Sequence, residues 1–157
     1  MARWRAGVSA LPVIAAVIVG LSGGLGAYTF VAARGTSYLR NDPAACANCH
    51  VMADHLSAWE KSSHRAVATC NDCHVPEALI GKYATKLQQG ARHSWAFTTG
   101  RFPDPLRITP GDRRIAEANC VRCHTDVTAA MHGAGVPRDP ADGSCVRCHT
   151  SVGHWVR

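Results

Sequence analysis

The most pronounced pattern along the chain is an uncharged stretch near the N-terminus. No charged side chain occurs between residues 6 and 33, and most of these positions are apolar. Because about 20 apolar residues are enough for a helix to cross a bilayer, the stretch predicts a transmembrane anchor. A cleaved signal peptide, with Val31, Ala32 and Ala33 as its small-residue site, is the alternative, but its apolar core would be only about 7–15 residues long. We expect an uncleaved anchor.

Beyond this stretch the pattern becomes polar and interrupted. Residues 76–89 have a helix-forming composition, with Ala78, Tyr83 and Leu87 among the apolar positions, and Gly90 is the predicted stop. Gly and Pro are frequent in two later segments, which we therefore predict to be loops. These segments are residues 100–112 and residues 133–143.

The hydropathy pattern divides the chain into three parts. Arg3 and Arg5 precede the apolar stretch and favour a cytoplasmic N-terminus, although Arg34 and Arg40 follow it and weaken the charge asymmetry. The predicted parts are a cytoplasmic tip with the anchor helix at 1–34, a linker at 35–43 and a domain at 44–157.

The chemistry of the domain is indicated by Cys-x-x-Cys-His, a motif that occurs four times and contains every cysteine of the chain. This is the attachment motif of haem c, in which two thiols bond to the haem and the adjacent His reaches the iron. Zinc sites and a disulfide framework also use paired cysteines, but neither explains a His after every second Cys. Four covalent haems are therefore predicted, at Cys46, Cys49 and His50, at Cys70, Cys73 and His74, at Cys120, Cys123 and His124, and at Cys145, Cys148 and His149.

Spacing and composition together predict the architecture. The first cysteines of successive motifs are 24, 50 and 25 residues apart, which suggests two copies of a two-haem unit. Only three Phe, three Tyr and four Trp are present, so the haems are expected to form most of the interior. We expect a mainly α and irregular multihaem cytochrome c fold with few or no strands. Haem c is attached outside the bacterial cytoplasm, so we place the domain in the periplasm, on a single-pass anchor in the inner membrane.

The net charge of +6 adds little to this picture. Lys and Arg are scattered rather than clustered, so we expect them to pair with haem propionates or to form a docking surface. No basic run indicates nucleic acid, and we expect no such partner.

Four haem irons have eight axial positions, of which the motif histidines can fill at most four. His64 and His154 each lie too close to a motif to cap that motif's own haem, so each is expected to reach a different one. Met52 lies two residues past His50 and could replace that His at the iron. The candidates outside the motifs are His55, His64, His93, His132, His154, Met52 and Met131, of which His55 and His132 are the histidines least expected to be ligands.

Several local features resemble the NapC/NirT family of tetrahaem quinol dehydrogenases, and the resemblance covers essentially the whole chain. One feature is the single N-terminal membrane helix. Within the family, the likeness is greatest to the membrane-anchored small subunits of cytochrome c nitrite reductase. The other features are Cys-x-x-Cys-His-x-Met at 46–52, Ser-Ser-His at 62–64, Arg-His-Ser-Trp-Ala-Phe-Thr at 92–98 and Val-Gly-His at 152–154.

The resemblance implies a set of axial ligands, with the haems numbered by motif along the chain. Haem 1 would have Met52 in place of His50 and one open or weakly occupied face near the membrane. The remaining sets would be His74 with His154 for haem 2, His124 with His64 for haem 3, and His149 with a Lys of the partner reductase for haem 4.

The resemblance also implies a menaquinol site beside haem 1, formed by a Lys and an acidic residue in the first half of the insert between the second and third motifs. Lys82 and Lys86 are available there, but Gln88 and Gln89 stand where the carboxylate is expected. His93 has a suitable pKa for accepting a proton, and it could equally be a distal haem ligand.

The activity implied by the resemblance is menaquinol oxidation, with electrons passed to a pentahaem cytochrome c nitrite reductase that makes ammonium from nitrite. The chain lacks the Cys-x-x-Cys-Lys motif that such a partner uses at its active haem, so we expect no nitrite chemistry on it. Membrane lipid and the quinone pool are the other expected partners. The alternatives are a quinol dehydrogenase that serves another periplasmic reductase, a plain multihaem electron carrier and, last, a haem-based gas sensor.

Overall fold

The computed structural model describes residues 10–133 and 145–154. The chain divides into two compact units between Thr36 and Ser37. The first contains one helix, α1 (Ala10–Ala32), whose 23 residues carry no charge. At about 1.5 Å per residue it is long enough for the hydrocarbon core of a bilayer. Its mean hydropathy of 2.0 also makes it apolar enough to cross a membrane.

The second unit is helical, and its described residues contain no strand, which agrees with the predicted fold class. Short 3-10 turns at Gly35–Leu39, His50–Met52 and Ser63–Ala66 connect some of the helices. The helices are α2 (Pro43–Cys46), α3 (Ala53–Glu60), α4 (Cys70–His74), α5 (Leu79–Thr99), α6 (Pro110–Cys123), α7 (Thr125–Gly133) and α8 (Cys145–Cys148).

The prediction that the insert helix stops at Gly90 is wrong, because α5 continues through it to Thr99. A Cβ atom at Gly90 would lie 3.4 Å from the Tyr38 ring, which is an ordinary van der Waals contact, so the ring packs against the helix at this position. The helix ends at Gly100, whose φ of +68° is a left-handed conformation that glycine adopts without strain.

The two predicted loops have different outcomes. The first is shorter than expected, because Thr109 caps α6 by accepting a hydrogen bond from the Asp112 amide at 3.2 Å and Pro110 occupies the first turn. The second, at 133–143, begins at the last residue of α7 and otherwise lies outside the described residues.

The apolar core of the described residues is very small. Only Ala45, Val75 and Ala116 are buried apolar residues there, and no large side chain is fully buried. The other buried side chains are polar or charged, namely Lys86, Gln89, Glu117 and Asn119. Three small side chains cannot offset the conformational entropy of ordering such a domain.

We therefore predict that the domain does not fold without haem. The full chain, produced in cells that lack the machinery for haem c attachment, should retain helical circular dichroism only from α1, and the rest should be digested rapidly by protease. The haem-loaded chain is the control. Full helix content and protease resistance in the haem-free chain would contradict the prediction.

Candidate haem-binding site

Three of the four motifs lie on helical turns. The second motif forms the whole of α4, the third ends α6, and the fourth begins with α8. Because residues three apart lie on the same side of a helix, both thiols of each of these motifs can face one edge of a haem. The first motif differs, since α2 ends at Cys46 and His50 starts the 3-10 turn that ends at Met52.

The first and second motifs touch through their leading cysteines. The Cys46 thiol is hydrogen-bonded to Cys70, which lowers the pKa of Cys46 to about 7. The amide of Asn71 also donates to the carbonyl oxygen of Arg40 at 2.9 Å and to the side-chain oxygen of Asn41 at 3.0 Å. Helix α4 is thereby tied to the segment that precedes the first motif.

The second motif is held by side chains from two longer helices. The end of α4 exposes carbonyl groups that have no partner within the helix. Asn119 of α6 donates to the carbonyl oxygens of Cys73 and Val75, both at 3.0 Å. Gln89 of α5 donates to the carbonyl oxygen of His74 at 3.2 Å. We call these three bonds, together with a fourth from Arg122 to the carbonyl oxygen of Asp72, the carbonyl clamp.

Arg122 completes the clamp and connects the second motif to the third. Its guanidinium donates to the carbonyl oxygen of Asp72 at 3.2 Å and pairs with Glu77 at 3.3 Å. Since Arg122 lies between the two cysteines of the third motif, this bond joins the second and third attachment sites directly.

The third and fourth motifs are joined by Glu117, a buried residue of α6. Its carboxylate accepts hydrogen bonds from the amide of Cys145 at 2.8 Å and from the amide of Val146 at 3.3 Å. A carboxylate at this position also stabilises the start of α8. Each motif is thus bonded to the next, so the four attachment sites are arranged in space in the order of the chain.

Two pairs of histidine rings have their centres at the separation that a shared iron requires, one pair with nearly parallel ring planes and the other with planes 68° apart. Two metal–nitrogen bonds of about 2 Å and two ring radii of about 1 Å give about 6 Å between ring centres. The centres of His74 and His154 are 5.9 Å apart, and those of His64 and His124 are 6.2 Å apart. These are the two pairs that the resemblance implies for haems 2 and 3.

The protonation of the first pair also suits iron binding. Burial, followed by the neighbouring His74 and His55, lowers the pKa of His154 to about 4. Burial likewise lowers the pKa of His74. Both rings are therefore neutral at pH 7, which is the form that binds a metal.

His55, one of the two histidines least expected to be ligands, lies in the same cluster. Its ring centre lies 5.1 Å from that of His154 in an edge-on arrangement. The Nδ1 atoms of His55 and His154 are both buried and have no hydrogen-bond partner among the described residues. An iron-binding His usually donates its second ring nitrogen to a neighbouring group, but no such bond joins these two rings, so His55 is a packing neighbour of His154.

The residues fit haem better than the two alternatives for paired cysteines. None of the eight cysteines forms a disulfide. Across residues 10–133 and 145–154, no group of three or more His, Cys, Asp or Glu side chains is arranged to hold a metal ion. Four haems would bind the paired imidazoles and would supply the apolar burial that the described residues lack.

The ligands predicted for haems 1 and 4 are less enclosed. Met52 is partly exposed at the end of its 3-10 turn, and His50 is exposed. His149 directly follows α8 and is also exposed. Met52 ligation and a Lys supplied by a partner remain predictions for these two haems.

The four predicted quinol-site residues lie on α5 but differ in their surroundings. Lys86 is buried, and its ammonium donates to the carbonyl oxygens of Tyr38 at 2.9 Å and Arg40 at 2.7 Å. Lys82 is partly exposed in a groove beside Asp72 and Glu77. The other two predicted residues are Gln89, which is buried in the carbonyl clamp, and His93, which is exposed.

A carboxylate does lie beside α5, on the neighbouring helix α6. Asp112 accepts a hydrogen bond from Gln89 at 3.0 Å, another from the Thr109 hydroxyl at 2.6 Å, and forms an ion pair with Arg92. Burial would raise the pKa of Asp112, but these three partners outweigh it and hold the pKa at about 2. Asp112 is therefore ionised at neutral pH.

The chain is similar to proteins of a known family. A family model described as the NapC/NirT cytochrome c family, N-terminal region, matches residues 8–116. The chain belongs to the NapC/NirT cytochrome c family.

Two curated relatives in this family carry more specific names. The chain is 36% identical over 116 residues to cytochrome c-type protein NrfH of Wolinella succinogenes, covering 73% of this chain and 66% of the relative. It is 35% identical over 80 residues to cytochrome c nitrite reductase subunit NrfH of Nitratidesulfovibrio vulgaris, covering 51% of this chain and 50% of the relative. The matches thus span about two thirds of one relative and half of the other.

A solved structure from the same family has a similar fold. It is a crystal structure of the cytochrome c nitrite reductase NrfHA complex bound to the HQNO inhibitor. The TM-score is 0.61 at 29% sequence identity, and the alignment covers 88% of this chain and 90% of the other. The similarity therefore extends well beyond the part matched by the family model.

The imidazole pairs predict the effect of removing a single ligand in this NapC/NirT protein. His64→Ala and His154→Ala should each convert one low-spin haem to a high-spin form while leaving the haem content unchanged, because the thioether bonds remain. Electron paramagnetic resonance measures the spin state, and the pyridine haemochrome assay measures the haem content.

His132→Ala serves as the control for these two variants, because we assign His132 no ligand role. It should leave all low-spin signals in place. An unchanged spectrum for His64→Ala or His154→Ala would contradict the corresponding ligand pair.

The low pKa of Asp112 predicts an acid-sensitive contribution to stability. A carboxyl group with a lowered folded-state pKa stabilises the fold above its unfolded pKa, and this contribution is lost as the pH falls towards about 2. Asp112→Asn should therefore lower the free energy of unfolding at pH 7 by about 1–2 kcal/mol and reduce its decline between pH 4 and pH 2. Denaturant titrations followed by circular dichroism test this.

Glu60→Gln is the matched control, because Glu60 is exposed at the end of α3. It should change the unfolding free energy little at either pH. An equal loss of stability in both variants would show that the bonds of Asp112 are not responsible.

Proposed function

We propose that this chain is a membrane-anchored tetrahaem quinol dehydrogenase that oxidises menaquinol and passes the electrons to a cytochrome c nitrite reductase. The observation that carries the proposal is the continuous series of contacts from the first to the fourth attachment site. A series of sites in fixed order suits the transport of electrons from one end of the domain to the other. The names of the NrfH relatives and the NrfHA complex support the choice of partner.

The same proposal includes the location of the protein. Helix α1 would be a single-pass anchor in the inner membrane, with the four-haem domain in the periplasm. The tether is short, because only five residues lie between Ala32 at the end of α1 and Tyr38, whose carbonyl binds Lys86. The first attachment site would therefore be held within reach of membrane quinol.

Haem c, when bound, supplies one-electron transfer, which is the chemistry needed to oxidise a two-electron quinol donor. The cysteines of the four motifs would hold the haems covalently. Met52, the two histidine pairs and His149 would supply the axial ligands from this chain. The carbonyl clamp would fix the backbone of His74, so that the second site keeps its position between its neighbours.

Oxidation of a quinol to a quinone releases two protons as well as two electrons. One side chain of α5 would accept a proton, and one of α6 would position its neighbours. Although much of the His93 side chain is exposed, partial desolvation of its ring and then the charge of Arg92 lower its pKa, so the ring is neutral at pH 7 and can accept a proton. Asp112 cannot take up a proton at that pH, because its pKa is about 2. We assign proton acceptance to His93 and a positioning role to Asp112.

The partner would be a nitrite reductase that carries out the nitrite chemistry on its own haems. The exposure of His149 is compatible with a fourth haem that receives its other ligand from a Lys of that partner. No nitrite reduction is assigned to this chain.

The first test is menaquinol-driven reduction of the haems in the detergent-extracted protein. Rapid reduction is expected, and HQNO should inhibit it. Met52→His should slow it on the order of tenfold, because replacing Met with His lowers the haem potential. Reduction by dithionite but not by menaquinol would leave a plain electron carrier and remove the dehydrogenase assignment.

A second arm identifies the partner. Pentahaem nitrite reductase with nitrite should reoxidise the quinol-reduced haems. Reoxidation by a different periplasmic reductase, and not by nitrite reductase, would show that the protein is a quinol dehydrogenase serving that other reductase.

A further inference from the structure

In an ordinary surface helix the charged residues face solvent and the apolar residues face the domain, whereas in helix α5 the two sides are exchanged. Its charged side chains, Lys82, Lys86 and Arg92, all lie on the side that packs against the domain. The opposite side carries no charged residue along all 21 residues of the helix. It presents Ile80, Tyr83, Ala84, Leu87, Ala91 and Trp95, which we call the outer face.

The outer face is strongly exposed. Relative exposure is 85% for Ile80, 77% for Leu87, 67% for Trp95 and 43% for Tyr83. These residues recur at intervals of three, four, seven and eight along one side of the helix, so they form a continuous apolar stripe. Exposed apolar patches of this kind mark surfaces that contact a protein or a membrane.

The rotation of α5 about its own axis is fixed by polar bonds. Lys86 is only 2% exposed and binds two carbonyl oxygens, Gln89 binds the His74 carbonyl, and Arg92 pairs with Asp112. Turning the helix to bury the outer face would break all of these bonds. The apolar stripe is therefore held outward by the same contacts that hold the domain together.

A haem bound at the neighbouring attachment sites would not cover the apolar stripe. The contacts of α5 with the attachment sites are on its polar side, where Lys86 lies near Cys46 and Gln89 binds the carbonyl of His74. The outer face is on the far side of a helix about 10 Å wide. It points away from the cysteines that would hold haems 1 and 2.

We propose that the outer face of α5 rests in the interface of the lipid bilayer that holds α1. This rests on the anchor role assigned to α1 above. Lys86 binds the carbonyl of Tyr38, and the six Cα-to-Cα steps from Ala32 to Tyr38 span at most about 20 Å. Helix α5 is therefore tethered close to the point where the anchor leaves the membrane.

The composition of the outer face suits lipid. Tyr and Trp favour the interface between lipid and water, and Ile and Leu favour the acyl region just below it. Helices that lie in this interface bury an apolar face and direct their charged residues away from the acyl chains. Here the charged residues are directed into the domain. The contact would hold the domain against the membrane surface and fix its orientation.

The test is photolabelling of the full-length, haem-loaded protein in phosphatidylethanolamine–phosphatidylglycerol vesicles that contain a phospholipid with a diazirine in its acyl chain. After illumination, mass spectrometry of peptides should locate label on α1 and on the outer face of α5. Val67, which is 80% exposed but lies off α5, is the internal control and should remain unlabelled. Label on α1 alone would overturn the proposal.

Variants make the test specific. Leu87→Glu should reduce labelling of α5 at least about fivefold without changing the haem content, whereas Val67→Glu should not. If Leu87→Glu does not fold, Ile80→Gln at the other exposed position replaces it. Undiminished labelling in a folded variant would overturn the proposal.

A partner protein could cover the outer face instead of lipid. Complete loss of α5 labelling when the partner reductase is bound, with α1 still labelled, would identify a protein interface and overturn the bilayer contact. Because labelling requires no quinol oxidation, failure of this test is separable from failure of the proposed activity.

Discussion

The carbonyl clamp around the second attachment motif is the constraint on which the rest of the domain depends. Four consecutive backbone carbonyls, from Asp72 to Val75, are bound by side chains of α5 and α6. Buried carbonyl groups without partners are costly, so these bonds satisfy a helix end and join three helices at once. They also fix α5, and through it Lys86 and the linker carbonyls.

This arrangement explains how a domain with so few buried apolar residues can have a defined order of sites. Its internal specificity comes from amide, guanidinium and carboxylate groups directed at backbone atoms. Such bonds set geometry well but contribute modest net stability, since each replaces a bond to water. The polypeptide therefore specifies where haems would be held, and the haems would supply most of the apolar burial.

The parts of the structure that repeat or have a strong hydropathy signal could be predicted from the sequence. The anchor helix, the helical character and the absence of strands in the described residues follow from the uncharged N-terminal stretch and from the motifs. The extension of α5 through Gly90 could not, because a glycine inside a helix costs only about 1 kcal/mol and residues on both sides of it, Gln89 and Arg92, bond to groups that are distant in sequence. Local composition marks glycine as a stop without showing what packs against it.

The candidate site shows the same division. The cysteines and motif histidines are evident from spacing, and the resemblance suggested the pairing of His64 and His154 with motif histidines that lie close to them in the structure. Asp112 was not foreseen, and His55 was among the histidines least expected to be ligands, because each becomes significant only through a contact with a residue distant in sequence. No single-residue pattern identifies a carboxylate that reaches Gln89 from 23 positions away.

The chain-order arrangement of the attachment sites has a consequence for biogenesis. Each motif contacts the one before it. When a motif of a chain emerging from the membrane appears, the motif that it contacts is therefore already present. Covalent attachment can then proceed outward from the anchor, one haem at a time, whereas the pairing of His74 with His154 is completed only when the end of the chain arrives. Under the proposed function, the haems would be attached in the order in which electrons later pass through them, from the quinol towards the acceptor.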